Sequence, residues 1–202
     1  MDLILVLFPV ALVLLAVRQA EVRQRVALLS EHLRPLRVER HMEQLTEGYL
    51  RALDESDPTR AQVLWHELTA TEDALQNELR QLAEALQGVW GERLRVSRWP
   101  MGLPHATRFF PQASFDFRAL VALHAQGVAD ALGNADGLPP RERAFRATAE
   151  LLLFQHSCHW FCRSQNVASA RLLARHRTHY GQVLEAVSPA TRTAYERLVR
   201  GA

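Results

Sequence analysis

Apolar residues recur three and four positions apart along most of the chain, and alanine, leucine, arginine, glutamate and glutamine dominate, which is a helical pattern and a helical composition. No alternation of apolar and polar residues is long enough to predict a strand. The expected fold is all-α, an N-terminal helix followed by a five- or six-helix antiparallel bundle with short turns. The first helix reaches about Leu33 and ends before Pro35, because proline disfavours helical backbone at the residue preceding it. A second covers about Leu36 to Leu53. Asp57 and Pro58 supply an N-cap and a first-turn proline for a third helix, which continues to about Gln87 and stops at Gly88.

Between residues 89 and 113 the periodicity fails. Gly91, Pro100, Gly102, Pro104 and Pro111 forbid a long regular element here, and aromatic residues are interleaved among them. Ser114 is expected to cap a fourth helix, about Phe115 to Leu132, and Pro140 to start a fifth, to about Ser164. A sixth covers about Val167 to Val187, and Ser188-Pro189 opens a short last helix to about Val199. The junction at Gln165-Asn166 lacks glycine and proline, which leaves open one long bent helix in place of the fifth and sixth.

One segment is apolar on every face. Leu3 to Val17 is fifteen residues without a charge, closed by Arg18. As a helix it covers roughly 22 Å, against a hydrocarbon core of about 30 Å; a snorkelling Arg18 and local bilayer thinning reduce the mismatch. Pro9 is tolerable in such a helix. A cleaved signal peptide would carry a basic start and a small-residue cleavage site, whereas Asp2 precedes this run and Arg18-Gln19 follow it. The leading reading is a transmembrane anchor over residues 1–20, with a cleaved signal or a buried core helix as alternatives. Residues 21–35 then form a polar helical stalk and residues 36–202 a bundle domain. Arg18, Arg23, Arg25, Arg34 and Arg37 follow the run and no basic residue precedes it, so the expected topology is N-terminus out with the bundle cytoplasmic.

Composition narrows the chemistry. All 24 basic residues are arginine and isoleucine occurs once, at Ile4, a bias expected of a GC-rich bacterial genome; the expected location is the bacterial inner membrane. Without lysine there is no Schiff-base nucleophile and no phosphate-loop lysine. The glycine-rich, nucleophile-elbow and zinc-protease motifs are missing too. Two cysteines in 202 residues do not make a disulfide framework. A net charge of +2 argues against a nucleic-acid binder. The charge is uneven: residues 42–87 hold ten acidic residues and three arginines, and residues 163–202 hold seven arginines and two glutamates. The leading expectation is that these segments pack together and compensate each other; the alternative is that one faces a partner of opposite charge.

Three sets of residues are candidates for a site. His156, Cys158, His159 and Cys162 share roughly half of one helix surface and are of ligand type for zinc, copper or iron, with His66, His105 or His124 available to complete a shell. That helix is apolar nearly all round, so core packing is the leading reading of the four, with metal or haem ligation and a redox-responsive pair of thiols as alternatives, and no cofactor is favoured. Arg171, Arg175, Arg177 and His179, in a run free of acidic residues, could contact anionic lipid or phosphate, with a solvated, internally paired face as the alternative. Trp99, Met101, Phe109 and Phe110 are candidates for docking a partner, against the reading of a loop folded over the end of the bundle. Glu150 and His124 would perturb one another if they met in the interior.

No catalytic constellation emerges. The functional expectation is a single-pass, membrane-anchored binding protein, an adaptor or accessory subunit with a protein partner or a second copy of itself. A tethered metal or haem protein and an anionic-lipid-responsive domain are the alternatives.

Overall fold

A computed structural model describes residues 2–201, with side chains from Leu7 onward. Nine helices and one small hairpin make up the described residues: α1 Asp2–Leu33, α2 Val38–Asp54, α3 Pro58–Gln87, β1 Arg95–Ser97, α4 Ala106–Phe109, β2 Ser114–Asp116, α5 Phe117–Leu132, α6 Pro140–Cys162, α7 Gln165–His176, α8 Tyr180–Ala186 and α9 Pro189–Arg200. The all-α expectation holds. Helix α6 is central and packs against α1, α2, α5, α7 and α8, while α3 pairs with α2 on one side and α5 on the other. The core is continuous, from Leu45, Leu75, Leu79 and Leu82 through Phe117 and Leu120 to Leu153 and Phe161.

Local chemistry explains most boundaries. Asp57 accepts the amide hydrogens of Thr59 and Arg60 with Pro58 in the first turn of α3, and Ser188 caps α9 on Thr191 in the same way. Leu68, Leu75, Leu79, Leu82 and Leu86 lie on the buried face of α3, the stripe its sequence spacing predicts.

Several boundaries differ from expectation. Ser114 lies in β2, and the cap of α5 is Asp116, whose carboxylate accepts the amide hydrogen of Arg118 at 2.8 Å. The hairpin pairs Arg95 with Asp116, Val96 with Phe115 and Ser97 with Ser114. Strands of three residues carry too few alternations to register as a period. Helices α6 and α7 are separate because Ser164 takes an extended backbone and caps α7 on the amide of Val167. The expected helix over 167–187 is two, broken at Arg177, whose left-handed backbone (φ 55°) ends α7.

Residues 21–33, expected within a polar stalk, are built into the bundle. Val22, Leu28 and Leu29 are buried, and Arg25 donates to the carbonyl of Phe161 at 3.1 Å while lying over its ring. Glu21 holds Arg25 on one side and Arg18 on the other. Among the described residues no helix is long and apolar enough to cross a membrane. The first part of the expected anchor, Met1 and the side chains through Val6, lies outside the described residues. From Leu7 to Leu15 the large apolar side chains of α1 stand exposed, Phe8 by 65%.

Candidate functional site

Three places concentrate chemistry. The first is internal. Glu150 and His124 are wholly buried and His156 nearly so. Nε2 of His124 lies 2.8 Å from the Ser157 hydroxyl, and Nε2 of His156 3.1 Å from that of Ser169, so each ring has one hydrogen-bonded nitrogen; neither Nδ1 has a protein partner. His156 stacks on Tyr180, whose hydroxyl donates to Tyr195 at 3.4 Å. Burial, followed by the other histidine's charge, pulls His124 down to about 3; burial and then His159 pull His156 down to about 4. Glu150 accepts the amide hydrogen of Ser188 at 3.0 Å, and burial pushes its carboxyl up. Its other oxygen fits beside Thr191 because Gly127 of α5 has no Cβ there to displace them. Glu150 thus bonds the α8–α9 turn and His124 bonds its own neighbour on α6. Neither meets solvent, so Glu150 and His124 order the core and are closed to any substrate.

The four metal candidates do not converge. His156 faces α7 and α8, and His159 lies 3.4 Å from an Arg171 nitrogen. Cys158 and Cys162 are free thiols packed against the core, the latter within the field of Arg25 of α1. Burial pushes both thiols up, Cys162 to about 11, which disfavours the thiolates that metals need. Among the described residues no three His, Cys, Asp or Glu side chains are placed to hold a metal ion. His66 is exposed on α3, His105 belongs to the loop, and His124 is spent on Ser157.

The second place is the groove between α6 and α7. It is an open groove of about 400 Å³, lined by Gln155, His156, His159, Leu172 and the exposed Arg171 and Arg175. Arg171 and Arg175 therefore line the same groove, as their spacing predicts. Arg177 and His179 do not join them: the first is the left-handed cap of α7, and the second opens α8 with its amide on Gln182. No ion pair among the described residues links segment 42–87 to segment 163–202. The expected mutual compensation is thus not made by direct contacts. Both segments border an open cleft of about 910 Å³, where Glu39, Glu43 and Glu47 are interleaved with Arg34, Arg37 and Arg40, and Arg175 completes the lining.

The third place is the end of the bundle where α1 leaves it. Arg18 donates to the carbonyl of Arg163, and a Cβ on Gly102 would collide with its guanidinium, so the loop over 98–113 sits directly against the last turn of the apolar run. The backbone of this loop is fixed. The Arg98 amide donates to Ala113, that of Asn166 to Pro100, that of His105 to Glu21, and the Trp160 indole to Ser97, at 2.9 to 3.3 Å. Trp99 is half-buried and packs against Phe110, with ring centres 4.8 Å apart and planes tilted by 40°. Met101, Leu103, Phe109 and Phe110 remain exposed, Phe109 by 69%. The loop is thus folded over the bundle end as one reading expected, yet presents apolar side chains outward as the other did.

Comparison of the chain with protein-family models, with curated proteins and with solved structures gives no match.

Glu72 is a residue that the sequence reading passed over. It is buried, accepts from the Tyr49 hydroxyl at 2.6 Å and pairs with Arg143, which also donates to the Leu132 carbonyl. A signal was present: Glu72 occupies the apolar stripe of α3 between Leu68 and Leu75.

Proposed function

We propose that the protein is a single-pass, membrane-anchored helical binding module, an adaptor or accessory subunit whose bundle is held flush against the inner membrane of a bacterium on its cytoplasmic side. The observation that carries this reading is the exposed apolar length of α1 in register with the exposed apolar loop beside it. Soluble domains rarely leave a contiguous apolar surface of this kind open, and lipid is the solvent that suits it.

The two parts complement each other. An anchor of fifteen apolar residues is short for a bilayer, so it draws the attached bundle into the interface. Arg18 is fixed to the bundle, which supports a headgroup-level position for Met101, Leu103, Phe109 and Phe110, where aromatic side chains are favoured. Arginines after the run and none before it support a cytoplasmic bundle. The open cleft beside α2, lined by charges of both signs, supports binding of a protein partner or a second copy.

Replacing Leu12 by arginine tests this reading. Leu12 is exposed, so the bundle should melt as the parent does, while an arginine at mid-anchor costs about 2.5–3.5 kcal/mol on insertion scales. The expected result is that the full chain floats with liposomes and the Leu12→Arg variant stays mostly below. A variant that floats like the parent would contradict the anchor.

A further inference from the structure

The geometry points to a binding site in the α6–α7 groove for a phosphate-bearing anion, gripped by Arg171 and Arg175 with His159 between helix and ligand. This inference stands independently of the membrane reading.

Four observations carry it. Arg171 and Arg175 are one helical turn apart and line the same cavity of about 400 Å³, a volume suited to a small phosphomonoester or a single headgroup. Neither guanidinium has a carboxylate within ion-pair distance among the described residues, and no acidic residue occurs between Arg163 and Gln182. Arg171 instead points a nitrogen at the His159 ring, 3.4 Å away. His156 lines the same groove, is almost wholly buried, and keeps Nδ1 without a protein partner.

The chemistry selects the ligand. Guanidinium groups cannot ligate a metal, but their planar forks match phosphate oxygens bidentately. Ala168, Leu172 and Ala174 give the groove an apolar floor, and a less hydrated floor strengthens charge-assisted hydrogen bonds above it. His159 faces Arg171 and Arg175 of α7 and Arg163 at the α6–α7 turn; burial, then these three cations, hold its pKa down. A bound dianion offsets much of that field. The His159 pKa should therefore rise as the anion binds.

The test uses the full-length protein in zwitterionic nanodiscs, with inorganic phosphate as the probe and the His159 imidazole resonances as the readout. Saturable shifts with an upward move of the His159 pKa are expected. Arg171→Gln and Arg175→Gln should each weaken binding roughly ten- to hundredfold with little change in the melt, because neither exposed guanidinium is paired with a carboxylate among the described residues. Arg171→Lys and Arg175→Lys, which keep charge and lose the fork, should fall between. Nanodiscs containing phosphatidic acid and no free phosphate separate the sources: a His159 shift there assigns the site to lipid headgroups, and a shift only on adding phosphate assigns it to a soluble ligand. No saturable response in either setting, or a response unchanged in the double glutamine variant, would overturn the site.

Discussion

Replacing Glu72 by alanine should destabilise the bundle by about 3 kcal/mol or more, a large share of the 5–15 kcal/mol that holds a typical domain together. Glu72 is buried at the junction of α2, α3 and α6, where it accepts from Tyr49 and pairs with Arg143. Removing its carboxylate leaves the Tyr49 hydroxyl without its acceptor and the guanidinium of Arg143 with only the Leu132 carbonyl. Arg143→Ala should cost a similar amount, since it strands the buried carboxylate instead. Glu72→Leu combined with Arg143→Leu should recover much of the loss, because replacing both partners removes the unpaired charge. Chemical denaturation of the four proteins checks this. Single variants within about 0.5 kcal/mol of the parent would show that the pair is dispensable.

The second large effect is a loss of stability on acidification. His124 and His156 hold pKa values near 3 and 4 in the folded state, against about 6.5 for an unfolded histidine. The unfolded chain therefore binds more protons than the folded one below about pH 6.5. The contribution of these residues is fully present above that pH and is lost as the pH falls through 6.5 toward 4 and 3. At about 1.4 kcal/mol per unit of difference, the two together contribute on the order of several kcal/mol. Glu150 works in the opposite sense: its raised carboxyl opposes folding at neutral pH, and protonation at low pH relieves that. Acid titration followed by circular dichroism should show stability falling from pH 6.5 downward, less steeply in His124→Gln. A parent protein equally stable at pH 7 and pH 5 would contradict the burial of both rings.

The long helices were legible because their signals are local. Asp57 before Pro58, Gly88 and the leucine stripe of α3 specify their own positions by capping and periodicity. The hairpin was not, because β1 and β2 are three residues each and pair across an intervening loop of sixteen, so neither is readable without its partner. The break at Arg177 was missed because no glycine or proline marks it; Arg177 takes the left-handed cap conformation that glycine or asparagine usually fills, its amide donating to the Leu173 carbonyl.

At the site level, helical geometry correctly placed Arg171 beside Arg175, since that relation lies within one helix. It could not say which helices face His156 and which face Cys158. Those partners belong to α7 and α8 on one side and the core on the other, and this division disperses the apparent ligand cluster. Glu150 and His124 were visible as polar residues in apolar helices, but their partners, Ser188 and Ser157, depend on how α5, α6 and α9 meet. The exposure of Phe109 and Phe110 likewise follows from the seating of the loop against Arg18.

The central claim is that the apolar run of α1 and the loop beside it form one lipid-facing surface. Depth measurement by spin labels tests it most directly, with labels placed singly at Leu12, Met101 and Phe109 and at exposed Glu185 as the aqueous reference. The native thiols, pushed up by burial, react slowly enough to leave the introduced cysteines as the labelled sites. In anionic bilayers the account predicts that Leu12 lies deep in hydrocarbon, Met101 and Phe109 at headgroup depth, and Glu185 in water. A water-accessible label at Leu12 would contradict the anchor, and a deep Leu12 with Met101 and Phe109 in water would contradict the single surface.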